Sequence, residues 1–187
     1  MFEAKDYFET ERIILRPFEA ADVDAIAHMR ADPEFMRYIK PTETRQQAIS
    51  WMQLVSRYWQ TDNYGFWAVV LKQSGATIGW SGTWNLPETK EKEIGFAIAP
   101  PLWGKGLATE AASVALRYSF ENRGAAKTVA VARPENLASR RVMEKLGMKF
   151  ENKRYFNSYG LELVYYALTR KEYARNGKTA LSQTNLG

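Results

Sequence analysis

In the middle of the chain, Ile94, Phe96 and Ile98 alternate with glycine, alanine and a charge, the period of a strand with one buried face. Pro100 and Pro101 end that strand, because proline fixes φ and has no amide proton to give to a ladder. Past Gly104 and Gly106, the apolar residues Leu107, Ala111, Val114, Ala115 and Tyr118 recur at helical spacing. The pattern predicts strand, glycine loop and helix in succession. The first amides of such a helix have no partner within it, and they point back into the loop. That end of a helix suits an anion such as a phosphate.

The flanking segments surround this unit with further strands and helices. Arg12–Pro17 reads as a strand and Ala20–Asp32 as a helix, with Asp22 and Asp24 at the positive end of its dipole. Val23, Ile26, Ala27 and Arg30 share the inner face, where Arg30 is expected to bury only its stem. Asp32–Pro33 breaks the helix. A second helix is predicted from Thr42, as cap, to Gln60, with Ala48, Ile49, Met52, Val55 and Trp59 as its stripe. Phe66–Leu71 and Thr77–Trp84 read as neighbouring strands around the Lys72–Gly75 turn. Asn85–Lys92 is a polar loop. Thr128–Arg133 is short and β-prone, and its place after a helix suggests a crossover into the same sheet. Ala138–Leu146 is a short helix closed by Gly147. Met148–Arg154 and Leu161–Thr169 form a last strand pair around Asn157–Gly160. Met1–Thr10 is expected to be loosely attached, and Arg170–Gly187 loses periodicity. With no repeat and no long linker, the expectation is one α/β domain over residues 1–170, then a tail over 171–187.

The 187 residues, 45% of them hydrophobic, suffice for one domain with a substantial core. The formal charge of +5 favours anionic ligands through long-range attraction. No basic block or zinc-finger spacing accompanies it, so direct nucleic-acid binding is not expected. The chain has no cysteine, which excludes disulfides, thiolate nucleophiles and cysteine-ligated metals. A lone histidine, His28, cannot build a histidine cluster, and no metal is expected. No apolar run approaches transmembrane length. Met1–Tyr7 lacks the apolar core of a secretory leader, so a cytoplasmic protein without membrane contact is expected. The glycine loop alone leaves two readings open: a site for a phosphate-bearing ligand, or a plain tight turn. It is not the mononucleotide P-loop, since Lys105 lies between the glycines and no glycine–lysine–serine or threonine ending follows.

Two segments, GFAIAPPLWGKGLATEA and RPENLASRRVMEKLGMKF, carry a resemblance when taken together at their separation. From Arg12 to about Thr169 the chain resembles the GCN5-related N-acetyltransferases (GNAT), and within them the branch that acetylates ribosomal-protein N-termini. The resemblance implies a mixed, mostly antiparallel central sheet flanked by helices, with two strands splayed at the coenzyme. It implies acetyl-coenzyme A as co-substrate and a primary amine as acceptor, a protein N-terminal α-amine being the leading class. The family motif starts with arginine or glutamine and places glycine three and five residues on, alanine being allowed last. Those positions are Trp103, Gly106 and Ala108, and Trp103 departs from the pattern. What the motif uses there is chiefly a backbone amide. The implied pyrophosphate cradle consists of the amides of Gly104, Gly106, Ala108 and Thr109, with Leu107 in the same run. Lys105 adds charge at the rim or is simply solvated. Ile98 and Pro100 would offer backbone groups to the pantetheine arm and Phe96 would support its wall, unless Phe96 and Ile98 are only sheet core. Asn136 matches an asparagine that pairs with that arm, or it caps the next helix. Ser139 and Arg140 open that helix beside the same ligand. Arg140 and Arg141 would approach phosphates or cover a helix surface.

Direct acetyl transfer needs a neutral amine held near a thioester, a donor for the oxyanion and stabilisation of the leaving thiolate. No covalent enzyme intermediate is required, which suits a chain without cysteine. Glu93 is the candidate base, directly or through a water, and a pKa raised toward neutrality would suit it. The bland alternative is an exposed strand-end charge. Glu88 and Glu91, in the preceding loop, are weaker candidates. The family's usual tyrosine acid falls on Met143, which has no proton to give. Ser139 is the favoured substitute, since its hydroxyl can donate to sulfur. The Ile98 amide is the candidate oxyanion donor. His28, Tyr38, Trp51 and Trp80 are expected near the acceptor cleft, although large aromatics more often build core. Tyr155, Phe156 and Tyr159 would cover its other side. A small-molecule acceptor and a non-catalytic coenzyme-binding or interaction module are the alternatives, and a monomer or a homodimer is expected.

Overall fold

The computed structural model describes residues 7–175. In chain order the elements are β1 (Phe8–Glu9), β2 (Ile13–Arg16), α1 (Val23–Ala31), α2 (Pro33–Met36), α3 (Arg45–Asp62), β3 (Phe66–Leu71), β4 (Thr77–Asn85), β5 (Lys92–Ile98), α4 (Leu107–Arg117), β6 (Lys127–Ala132), α5 (Leu137–Lys145), β7 (Lys149–Phe156) and β8 (Leu161–Thr169). The strands make an eight-stranded sheet in the order β1-β2-β3-β4-β5-β6-β8-β7. β1–β2, β2–β3, β3–β4, β6–β8 and β7–β8 pair antiparallel, while β5–β6 is parallel. The expected mixed, mostly antiparallel sheet flanked by helices is therefore present, and α4 makes the crossover that a parallel pair needs. The described residues fall into two compact units, 7–84 with 94–115 and 85–93 with 116–175.

The first unit is built on aromatic packing. Trp51 of α3 lies 5.4 Å from Phe18, 6.0 Å from Phe66 and 4.9 Å from Trp80, ring to ring. Arg30 corrects the expectation that only its stem is buried. The whole side chain is enclosed, at 1% exposure. Its guanidinium lies 4.0 Å over the Trp51 ring and 5.2 Å from that of Trp80, and its Nε donates to Glu43. Asp22 is also buried. It accepts two bonds from the Arg16 guanidinium and others from the Glu19 amide and the Thr77 hydroxyl, which ties the entry of α1 to β2 and β4. The cap of α3 is Thr44 and not Thr42. Its hydroxyl accepts from the Gln47 amide while the Gln47 side chain accepts from the Thr44 amide, a reciprocal capping box. The segment expected to be loose includes β1, where Phe8 meets the Trp67 ring edge-on at 5.4 Å.

The second unit has its own core of Leu86, Val129, Phe156, Leu163, Tyr165 and Ala167, with Tyr159 packed against it. Residues 170–175 are helical. Tyr173 stacks on Phe120 at 4.7 Å and donates to Glu121 at 2.7 Å, so the first turn of the predicted tail is docked. Its remainder, 176–187, and the first six residues of the chain lie outside the described residues.

Candidate active site

In the first unit, the glycine loop hangs from the end of β5. The Ala99 amide donates to the Ile78 carbonyl at 2.8 Å, and then Pro100–Leu102 turn as a single 3-10 segment. Within that turn the Trp103 amide donates to the Pro100 carbonyl at 3.1 Å. That amide is therefore engaged within the turn. Trp103 contributes its side chain instead: the indole N–H donates to the Ile98 carbonyl and fastens the loop to the strand. The Ile98 carbonyl, one of the groups expected to meet a pantetheine arm, is engaged by this bond. Ile98 is buried, whereas Phe96 and Pro100 are half-buried.

Gly104 and Gly106 adopt φ of +76° and +80°. A Cβ at Gly104 would meet nothing within 4 Å. The left-handed backbone, rather than crowding, therefore calls for glycine there. The Gly106 carbonyl accepts from the Glu110 amide at 3.0 Å, which makes Gly106 the start of α4. The amides of Leu107, Ala108 and Thr109 precede that first bond and have no intrahelical acceptor. The Leu107 side chain is buried and anchors the turn, while residues 103–106 are exposed. Arg12 braces the loop from behind. Its guanidinium donates to the Lys105 carbonyl at 2.7 Å and to Glu110 at 2.7 Å. Glu110 also accepts from the Arg12 amide and the Thr10 hydroxyl. Burial alone would push its carboxyl up, but these donors outweigh it and hold the pKa below the usual value. The result is a braced, exposed turn presenting helix-end amides, which fits a pyrophosphate. Gly106→Ala should strain the turn by about 1–2 kcal/mol and re-aim those amides. Calorimetric titration should then show coenzyme A binding weakened about 5- to 30-fold, since 1.4 kcal/mol is a factor of ten. Unchanged affinity would remove the loop from binding.

In the second unit, Glu93 is 6% exposed, so it is not a solvated strand-end charge. Tyr159 donates its phenolic proton to Glu93 Oε2 at 3.2 Å. Burial and then the Glu93 carboxylate raise the Tyr159 pKa, so the phenol stays protonated. Glu91 accepts from the Tyr165 hydroxyl at 2.7 Å and pairs with Lys127 at 3.2 Å, and Glu88 accepts from the Ser158 amide at 2.8 Å. Both acids thus hold the loop before β5 to the β7–β8 hairpin. The parallel register of β5 and β6 comprises Lys92↔Thr128 and Glu93↔Val129. Asn136 does act as a cap: its Oδ1 accepts from the Ser139 amide at 3.1 Å. Arg140 donates to the Tyr166 hydroxyl at 3.2 Å and to the Pro134 carbonyl at 3.3 Å. Met143 is buried in α5. Two features have no counterpart in the sequence reading, the Tyr159–Glu93 bond and the Arg12 brace. The first joins residues 66 positions apart and the second residues 98 apart, and no local pattern marks either.

The model of the acetyltransferase (GNAT) domain matches residues 12–149. The chain belongs to the GNAT acetyltransferase family. Acetyl-coenzyme A-dependent acetyl transfer is its activity. Among relatives, the acetyltransferase is 28% identical to YdaF of Bacillus subtilis (strain 168), provisionally described as a ribosomal N-acetyltransferase, over 87% of this chain and 94% of that one. It is 29% identical to the FsC-acetyl coenzyme A-N(2)-transacetylase of Aspergillus fumigatus, over 97% of this chain and 84% of the relative. A GNAT-family acetyltransferase structure from Bacillus anthracis superposes with a TM-score of 0.74 at 26% identity, covering 88% of this chain and 99% of that one. Among the described residues of the acetyltransferase, no cluster of acidic, histidine or cysteine side chains could hold a metal ion. No described helix is long and apolar enough to cross a membrane. Of the residues expected near the acceptor, Trp80 is buried, Trp51 half-buried and His28 exposed.

Proposed function

We propose that the acetyltransferase acts on a primary amine, with a protein N-terminal α-amine as its acceptor class and Glu93 as its base. The observation that carries the base is the enclosed Glu93 carboxylate, which accepts a hydrogen bond from a phenol that stays protonated. A carboxylate in that setting can take a proton from an incoming ammonium and leave the amine nucleophilic. Bound acetyl-coenzyme A would supply the thioester. The amides of Gly104, Gly106, Ala108 and Thr109 hold its pyrophosphate, with Leu107 fixing the turn and Lys105 at the rim. Phe96, Ile98 and Pro100 border the pantetheine arm. Asn136 pairs with that arm through the part of its carboxamide not used in capping. The Ser139 hydroxyl donates to the leaving sulfur, where Met143 has nothing to donate. Trp103 shapes the loop and Arg140 steadies α5. The branch-like motif and the likeness to YdaF support the N-terminal acceptor. The likeness to the Aspergillus transacetylase favours a second reading, a small-molecule amine. One domain over residues 1–170, acting in the cytoplasm as a monomer or homodimer, completes the proposal.

The test is a thiol-release assay with acetyl-coenzyme A across short peptides bearing free N-termini, the same peptides N-blocked, and small diamines and amino acids. Free peptides should turn over and blocked ones should not. Turnover confined to small amines would replace the N-terminal reading with the second one, and failure of every amine would sink both.

A further inference from the structure

Three carboxylates in a single short segment each receive a hydrogen bond from the β7–β8 hairpin. Glu88 accepts from the Ser158 amide, Glu91 from the Tyr165 hydroxyl and Glu93 from the Tyr159 hydroxyl. Ser158 and Tyr159 sit on the turn itself, closed by the Tyr159 amide on the Phe156 carbonyl and the Gly160 amide on the Asn157 carbonyl, both at 3.2 Å. The Phe156 ring is fully buried, and the Tyr159 ring lies 6.3 Å from it. Turn and phenol are thus seated on a rigid core and bolted by Glu88 at one side.

We propose that Tyr159 is a positioning residue for Glu93, fixing the orientation of its carboxylate. The terminal torsion of a glutamate is broad and roughly two-fold, so strand geometry alone does not choose how the carboxylate faces an acceptor. The Tyr159 hydroxyl, held on Oε2 by a bolted turn, favours one such orientation. A hydrogen bond to a charged group is also among the stronger ones available. The neutral phenol suits the task better than a cation would, because a lysine or arginine at that place would neutralise the carboxylate and blunt it as a base. The positioning role rests on the reading of Glu93 as the base, and it adds a residue that the sequence motifs do not mark.

The experiment is a double-mutant cycle in the thiol-release assay, using the peptide acceptor and single-turnover conditions with enzyme in excess. Tyr159→Phe keeps the ring and removes only the hydroxyl. It should lower the rate about 10-fold or more, the effect expected of losing a hydrogen bond to a charged group, while coenzyme A affinity is unchanged. In the Glu93→Gln background the same substitution should change the residual rate less than about 3-fold, because its target has lost the function being positioned. An equal fold-loss in both backgrounds would show that Tyr159 serves only packing. Normal turnover in Tyr159→Phe beside an impaired Glu93→Gln would overturn the positioning role alone. Wild-type turnover in Glu93→Gln would instead remove the base, and the positioning role with it.

Discussion

Glu93→Gln should lower kcat by about 10²–10⁴-fold while coenzyme A affinity stays within about twofold. Glutamine keeps the length of the side chain, and its carbonyl oxygen can still accept from Tyr159. What it lacks is basicity. The acceptor amine must lose a proton before it can attack, and an α-amine carries that proton until pH rises through about 8. Wild-type enzyme removes it locally; the variant must wait for amine already neutral in solution. The deficit should therefore narrow by about tenfold as pH is raised from about 7 to about 9.5, where most α-amine is neutral without help; the rest persists, because the nitrogen must still lose a proton as its bond to the acetyl carbon forms. Measuring kcat across that range with a free-amine peptide separates this cause from general damage. A deficit that stays constant with pH would deny Glu93 the base role, and so would wild-type turnover at neutral pH. The coenzyme measurement matters because the loop at Gly104–Gly106 is built by other contacts, from Arg12, Trp103 and Glu110.

What the sequence made legible is whatever depends on neighbours a few residues away. The strand, loop and helix from Ile94 to Tyr118 follow from alternation, two prolines and two glycines, and the structure has them in those places. The crossover into β6 and the last hairpin follow in the same way. The cap of α3 was legible too, but Thr42 is the wrong reading of the signature. A capping box needs glutamate or glutamine three residues on, and that is Gln47 for Thr44, whereas Thr42 faces Arg45. β1 has two residues, too few to show a period. The departure at Trp103 was visible, but its role depends on a fold-back onto Ile98 that no motif spells out. The full enclosure of Arg30 is not legible in the sequence, because a helix face tells which side is inward, not whether a counter-charge waits there. Its partner Glu43 lies 13 residues on, and the aromatic rings above it come from α3 and β4. The sequence places Tyr159 near the acceptor but hides its bond to Glu93 for the same reason, since only tertiary structure lays a hairpin turn against that acid.

The Arg30–Glu43 pair should show the largest stability effect. Arg30 is enclosed, and its Nη2 has no hydrogen-bond partner among the described residues, so much of its compensation comes from Glu43 and the Trp51 face. Burial lowers the Arg30 pKa despite Glu43. For Glu43, burial would raise the pKa, but the hydrogen bonds from Arg30 and Lys40 outweigh it and the pKa falls below its ordinary value of 4.5. Arginine stays charged over any working pH, so Glu43 is the member that titrates. Glu43→Ala strands a buried guanidinium, and urea unfolding at pH 7 should record a loss of about 3–5 kcal/mol. Replacing both residues, Arg30→Met with Glu43→Leu, should recover most of it, because a packed apolar pair avoids the desolvation that the ion pair only partly offsets. The pH dependence has a definite sign. A carboxyl with a depressed folded pKa adds stability above its unfolded pKa and loses it as pH falls through the folded one. Wild-type stability should therefore decline as pH drops from about 5 into the range below the ordinary carboxylate pKa, with the Arg16-bound Asp22, whose pKa is also lowered, adding to the decline. In Glu43→Ala that decline should be shallower. A loss under about 1 kcal/mol at pH 7 would mean the pair is worth no more than an exposed one, and that the stacking on Trp51 holds Arg30 by itself.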